Sequence, residues 1–160
     1  MKAALLTLVG LLTLVPSPGT PGQGQGGAST ANSEIRNPKS ETSTPRFEYL
    51  DVFIDPHGKP LAAYQFELTV DPGSGTIVGV EGGDHAAYKP APYYDPAALS
   101  QNRIIVAAFN TGADLPSERT RVARLHMRFT SDTTPSVKLQ SSADSNGNPI
   151  AADAAIERGS

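Results

Sequence analysis

The sequence predicts an all-β fold, a sandwich of two sheets with about seven to nine strands. Short segments in which apolar and polar residues alternate recur along residues 46–156, and a period of two is typical of a strand that buries one face. Clusters of glycine and proline separate these segments and indicate turns. No long amphipathic helical pattern and no internal repeat is present. The length of 160 residues fits one folded domain with one hydrophobic core.

Residues 46–70 carry the clearest strand signals. In the second half of this stretch, apolar side chains alternate with small or polar ones, and these apolar residues are Ala62, Tyr64, Phe66, Leu68 and Val70. In the first half, one face is aliphatic and the other combines three aromatic side chains with Asp51, so both faces are expected to contact other parts of the protein. A turn over residues 56–60, rich in proline and glycine, joins the halves. We therefore predict a β-hairpin at the centre of the sandwich.

More strands follow along the chain. Residues 76–80 predict a short strand in which Gly79 marks a bulge. Residues 103–109 are an unbroken apolar run, which predicts a central strand covered on both faces. Residues 119–129 return to alternation, with every second side chain apolar. Two further strands, one on each side of a turn at residues 144–148, complete the prediction.

The longest irregular stretch, residues 81–101, is too rich in glycine and proline for a regular element. One helical turn is expected inside it, with Asp95 as the N-cap and Pro96 at the first position. Three tyrosines of this loop are candidate binding residues: Tyr88, Tyr93 and Tyr94. Their rings offer flat apolar area and a hydroxyl to a protein or a sugar. The alternative is that the rings pack inward and hold the loop on the sandwich.

A second candidate surface is the row of basic side chains Arg124, His126 and Arg128, which alternate with apolar residues and are expected to face outward. Such a row is a docking face for an acidic partner. The alternative is a solvated outer face whose charges are paired by Glu48 or Glu67 on a neighbouring strand.

No metal site is predicted. Glu81, Asp84 and His85 are close in sequence, but a zinc or copper site requires three or four converging ligands. The sequence DSNGN at residues 144–148 resembles the start of a calcium loop, yet Pro149 follows and no bidentate glutamate stands at the required spacing. We expect this segment to be a turn.

Composition and motifs argue against several classes of function. The net charge of -3 gives no general attraction to nucleic acid or to an anionic membrane. The chain contains no cysteine, so disulfides and thiolate chemistry are excluded, and no tryptophan. No nucleophile elbow, P-loop or dinucleotide-binding motif is present, and a sandwich of this size leaves little room for a cleft between paired carboxylates such as Asp51 and Asp55. We expect no enzyme activity and no cofactor.

The N-terminal region reads as an export signal. A positive charge at Lys2 is followed by an apolar run that ends at Pro16, which is too short to span a membrane. We assign residues 1–20 to a signal peptide, residues 21–45 to a disordered linker and residues 46–160 to the folded domain. The protein is expected to be secreted, outside the cell or at its surface.

The order of motifs suggests a family. The run VFIDPHGKPLAAYQFELTVDPGSGTIVGVEGG at residues 52–83, together with IIVAAF, TRVARLHMRF and DSNGNPI farther on, resembles the strand plan of cohesin domains. The resemblance covers most of residues 46–156. It implies a jelly-roll β-sandwich of the kind shared with carbohydrate-binding modules. It also implies a partner, the calcium-loaded dockerin domain of secreted enzymes that break down polysaccharides.

The sequence thus predicts a secreted, non-catalytic binding or adaptor module that recognises a dockerin-like or other extracellular protein domain. Two alternatives remain open, a carbohydrate-binding module linked to polysaccharide breakdown and a purely structural extracellular domain. Without tryptophan, sugar binding would depend on the tyrosines. Their exposure on one face would favour carbohydrate binding over protein binding, and their burial would count against carbohydrate binding.

Overall fold

The computed structural model of the protein describes residues 44–159. The predicted signal peptide and nearly all of the predicted linker lie outside the described residues. No helix in the described part of the chain is long and apolar enough to cross a membrane. The elements of this part are β1 (Arg46–Asp55), β2 (Ala63–Thr69), β3 (Gly75–Gly82), a 3₁₀ turn (Ala86–Tyr88), β4 (Tyr93–Tyr94), a second 3₁₀ turn (Pro96–Ala98), β5 (Arg103–Phe109), β6 (Thr120–Phe129), β7 (Ser136–Ala143) and β8 (Asp153–Gly159).

The strands form two antiparallel sheets of four strands each. Sheet A has the order β3-β6-β1-β8, and sheet B has the order β4-β5-β2-β7. The predicted all-β sandwich is therefore confirmed, with eight strands among residues 44–159. Most consecutive strands belong to different sheets, so the chain crosses repeatedly from one layer to the other.

The predicted hairpin at residues 46–70 is wrong, although both of its strands lie inside a sheet. β1 pairs with β6 and β8, whereas β2 pairs with β5 and β7. The turn between β1 and β2 carries the chain across the sandwich and is held by the loop before β6, where the Leu61 amide donates to the Pro116 carbonyl at 2.9 Å. Each strand has one aliphatic face, and placing the two strands in opposite layers buries both faces against each other.

The core lies between the sheets and includes the side chains that alternation predicted to face inward on β2 and β6. Its largest fully buried members are Phe66, Phe129, Leu50, Ile54, Leu61, Leu68, Ile77, Ile104, Leu125, Met127, Val52 and Val106. Burying each such side chain contributes about 1.5–3 kcal/mol relative to an exposed position. The buried Tyr64 hydroxyl donates to the Val122 carbonyl of sheet A at 3.0 Å, which satisfies its polar end.

The bulge predicted at Gly79 is present, since the pairing of β3 with β6 shifts register between Ile77 and Gly79. At the start of β3, Gly75 faces a different constraint. A Cβ atom at this position would lie 2.7 Å from Cδ1 of Phe129, so only glycine fits the close approach to this core ring.

The prediction that residues 103–109 are covered on both faces is wrong. Ile104 and Val106 point into the core, but Ile105 and Phe109 on the other side of β5 are exposed. The described chain forms only two layers, so no element lies over the outer face of sheet B. An apolar run thus supplies both a core face and an exposed apolar surface.

Candidate functional site

The exposed apolar surface of sheet B is the candidate site. We call the outer surface formed by Tyr93, Ile105 and Phe109 the aromatic face. Tyr93 is 68% exposed and Phe109 is 65% exposed. Their rings are nearly parallel, at an angle of 9°, and the ring centres lie 5.9 Å apart. Two large aromatic side chains therefore shield each other only in part, and both remain accessible from solvent.

Local sequence explains why Tyr93 faces outward. β4 has only two residues and pairs with β5, with Tyr93 opposite Ala107 and Tyr94 opposite Val106. Alternation along β4 sends Tyr93 to the outer face and leaves Tyr94 half-buried against the core.

The strand ends where the predicted helical turn begins. The Asp95 carboxylate accepts a hydrogen bond from the Ala97 amide at 2.9 Å, and Pro96 occupies the first position of the 3₁₀ turn. The predicted capped turn is confirmed. It forms one wall of a shallow depression beside Tyr93, whose opposite wall is β5.

A polar row borders the aromatic face on β2, β5 and β7. Arg103 donates two hydrogen bonds to Glu67, at 3.1 and 2.8 Å, and Gln140 donates to the same carboxylate at 2.9 Å. Gln65 donates in turn to Gln140. The Arg103 guanidinium holds the pKa of the Glu67 carboxyl below its usual range. The charges of Glu67 and Arg103 are therefore paired with each other.

Tyr88 is not available at the surface, which corrects its assignment as a binding residue. It is only 2% exposed, and its ring meets that of Tyr64 edge to face at 5.0 Å. Its hydroxyl donates to the Leu61 carbonyl at 2.6 Å, and burial raises the pKa of this phenol. Tyr88 thus anchors the long loop to the core, as the packing alternative proposed, whereas Tyr93 alone of the three tyrosines is largely exposed.

The basic row lies on the outer surface of sheet A, which we call the charged face. Arg124 donates two hydrogen bonds to Asp51, at 2.7 and 2.8 Å, and Arg121 donates a third at 3.1 Å. Arg121 also binds Asp84. The Arg124 guanidinium, followed by that of Arg121, holds the pKa of the Asp51 carboxyl below its usual range. Most charge at the centre of this face is internally neutralised.

The remaining members of the row have different surroundings. His126 lies 2.8 Å from Glu81, measured from Nε2 to the carboxylate. Arg128 is exposed, and no ion pair joins it to another residue of the described range 44–159. Glu48 and Glu67 do not pair with the row, contrary to one alternative, because Glu48 binds Arg46 at the sheet end and Glu67 belongs to sheet B.

The groups considered as metal ligands are engaged elsewhere. The His85 side chain accepts from the Ala87 amide at 3.2 Å and caps the first 3₁₀ turn. Within residues 44–159, no cluster of three or more histidine, cysteine or acidic side chains is placed to hold a metal ion. Residues 144–148 form the predicted turn, in which the Asp144 carboxylate accepts from the Asn146 and Asn148 amides at 2.9 Å.

Sequence reasoning missed Phe109 and Ile105. Both belong to an apolar run whose residues do not alternate in polarity, so alternation could not separate the inner from the outer face. One signal was available. A strand covered on both faces needs a covering layer, and the sequence contains no amphipathic helix to provide it.

Comparisons of the chain with protein-family models, with curated proteins and with solved structures gave no match. The cohesin resemblance therefore rests on the sequence motifs of residues 52–83 and those that follow them. The two-sheet architecture and the geometry of both outer faces rest on the structure itself.

Proposed function

We propose that the protein is a non-catalytic recognition module that binds another protein domain outside the cell through the aromatic face. The observation that carries this proposal is the pair Tyr93 and Phe109, both about two-thirds exposed and in contact with each other. Grouped apolar side chains on the surface of a soluble domain mark interaction sites. Aromatic residues are also enriched at the centres of protein interfaces.

The surroundings of the pair support a protein partner. An interface commonly has an apolar centre and a polar rim, and here Ile105 extends the apolar centre while the Glu67–Arg103 pair lies at the rim. Because this ion pair is already formed, docking need not separate its two charges. The depression beside Tyr93 offers a place for one apolar side chain of the partner.

The class of partner comes from the cohesin resemblance. By that resemblance the partner is a dockerin-like domain that carries calcium, and the module acts as an adaptor for secreted enzymes. The lack of catalytic motifs and the apolar, ion-paired character of the aromatic face favour binding over catalysis. Export by the N-terminal region belongs to the same proposal.

The test uses the full chain immobilised on a surface and titrated with purified calcium-loaded dockerin domains, with and without a chelator. We expect Phe109→Ser to weaken binding about tenfold or more, because truncation of a central aromatic residue commonly costs at least this much. Phe47→Ser is the matched control. Phe47 is 70% exposed on the charged face, so its loss should leave binding unchanged.

Equal losses for both variants would show that binding is not located on the aromatic face. If no dockerin domain binds at micromolar concentration, the adaptor function is wrong, and a structural role or a different ligand class takes its place.

A carbohydrate ligand is the second candidate, and the near-parallel arrangement of Tyr93 and Phe109 favours it. Aromatic rings stack on the apolar faces of sugar rings, and the amides of Gln65 and Gln140 lie in the adjoining polar row. Retention of the full chain on insoluble polysaccharide, lost in Phe109→Ser and kept in Phe47→Ser, would select this candidate. Absence of retention, together with dockerin binding, would eliminate it.

A further inference from the structure

The edges of the two sheets differ in how they are protected. An exposed sheet edge presents unpaired backbone groups to which another strand can add, and natural edges are blocked by bulges, short strands or charges. Among the described strands, β3 carries a bulge, β4 has two residues, and β7 shifts register at its pairing with β2. β8 pairs with β1 over all seven residues without a shift. It carries three charged side chains, of which Glu157 pairs with Arg119 and Arg158 pairs with Glu48, so Asp153, at 83% exposed, is the most accessible charge on this strand. The other edge of β8 makes no backbone hydrogen bond within residues 44–159.

The sandwich is also incompletely closed beside β8. The apolar inward side chains of β7 and β8, which include Leu139, Ala154 and Ile156, are only partly buried, unlike those of β1, β2 and β6. β7 and β8 belong to different sheets and do not pair. Two shallow depressions open at this side, one lined by Leu139 and Ala152, the other by Ile156 and the loop before β7. Apolar side chains of an added strand would enter these two depressions, which we call the gap beside β7.

The negative charge of Asp153 at the start of β8 favours an added strand that carries basic side chains. Asp153 lies directly opposite Asp55 on the outer side of sheet A, and like charges at such a position are unfavourable. His57 approaches Asp153 at 3.1 Å, but the Asp153 side chain remains 83% exposed. A lysine or arginine on an added strand would lie beside Asp153, on the face opposite to the apolar side chains.

We propose that the free edge of β8 is a second binding site that accepts an extended basic segment of a partner protein as a fifth strand of sheet A. Backbone hydrogen bonds to β8 hold the segment, apolar side chains at alternate positions enter the gap beside β7, and basic side chains face Asp153. This site is on a different surface from the aromatic face and does not rest on the function proposed for that face.

The probe is a nine-residue synthetic peptide of alternating lysine and valine, blocked at both ends, added to the full chain. Amide hydrogen exchange is measured at each strand with and without saturating peptide. We expect exchange in β8 to slow about tenfold or more, because added hydrogen bonds protect its amides. Exchange in β3 and β4, the edges on the opposite side of the sandwich, should not change.

Three variants test the roles assigned to side chains. Asp153→Asn should weaken peptide binding about two- to fivefold, the usual effect of one exposed ion pair. Asp114→Asn is the matched control, since Asp114 is 86% exposed but lies in the loop after β5. Ala152→Leu should weaken binding by filling the depression that Ala152 and Leu139 line, and Phe109→Ser should leave binding unchanged.

A peptide of alternating glutamate and valine should not bind. Equal affinity for both peptides would show that charge at β8 has no role. Unchanged exchange in β8 at saturation, or protection confined to another edge, would overturn the proposal, whatever the result at the aromatic face.

Discussion

The outer faces of the two sheets show opposite uses of exposed side chains. On the charged face, three arginine contacts surround the carboxylate of Asp51, and the charges neutralise one another. On the aromatic face, Tyr93 and Phe109 contact each other and are otherwise open to solvent. Two of the three residues that resemble a docking row in the sequence, Arg124 and His126, are paired within the protein, whereas Ile105 and Phe109, which resemble core residues, are accessible.

The difference extends to the aromatic rings of the two faces. On the charged face, the Arg124 guanidinium lies 3.8 Å from the ring centre of Tyr49, and the Arg119 guanidinium lies 3.9 Å from that of Phe53. Such cation–π contacts contribute about 0.5–1 kcal/mol each at exposed sites. These two rings are covered by neighbouring side chains of the same face, whereas Phe47 on that face is 70% exposed. Within residues 44–159, no arginine lies over the ring of Phe109, and this side chain is 65% exposed.

The effect expected to be greatest is on the charged face. Asp51→Asn removes the charge that three guanidinium hydrogen bonds share, and the side chain is only 15% exposed. We expect the free energy of unfolding to fall by about 2–3 kcal/mol, the range for hydrogen bonds to charged groups. Urea denaturation at neutral pH measures this loss. Asp132→Asn is the control, because Asp132 pairs with Arg46 while 96% exposed, and its change should stay below about 0.5 kcal/mol.

The ion pairs of Asp51 and Asp84 with the neighbouring arginines predict how the stability of the protein depends on pH. The pKa values of Asp51 and Asp84 are lowered from their ordinary value of 3.8 by the neighbouring arginines. Their contribution is therefore complete above about pH 5 and is lost progressively as the pH falls through 3.8 towards the lower pKa of the folded state. The difference in unfolding free energy between the native protein and Asp51→Asn should shrink between pH 7 and pH 3. A constant difference over this range would contradict the assigned charge effect.

The sequence predicted the features that depend on residues close together in the chain, namely strand faces and turns. Alternation identified the inward faces of β2 and β6, and the pair Asp95 and Pro96 identified a capped turn. The choice of sheet for β1 was not predictable in the same way. Its partners β6 and β8 lie far away in the sequence, and the strand next along the chain is in the other layer.

The candidate site was predicted only in part, for two physical reasons. The loop tyrosines follow no period, so the sequence could not tell Tyr88, which enters the core, from Tyr93, which does not. In β5 both faces are apolar, and Phe109 is exposed because residues 44–159 form no third layer over this face. Exposure at both positions depends on neighbours distant in the chain.

The contrast between the two tyrosines of the loop gives a smaller prediction. Tyr88→Phe leaves the Leu61 carbonyl without its 2.6 Å hydrogen bond, so the free energy of unfolding should fall by about 1 kcal/mol. Tyr93→Phe should leave it unchanged, since the Tyr93 side chain is mostly in solvent. Thermal denaturation of both variants measures the difference. If the two variants lose the same stability, Tyr88 does not anchor the loop through its hydroxyl.

The smallest expected change in stability is on the aromatic face. Phe109→Ser removes a ring that is 65% exposed and leaves β5 paired with β2 and β4, so the free energy of unfolding should change by about 0.5 kcal/mol or less. The same substitution should weaken partner binding about tenfold or more. Asp51→Asn should show the reverse, a large loss of stability with unchanged binding to the aromatic face. Denaturation and binding are measured on both variants. If Phe109→Ser loses as much stability as Asp51→Asn, the exposed aromatic pair is a structural element and not a binding site.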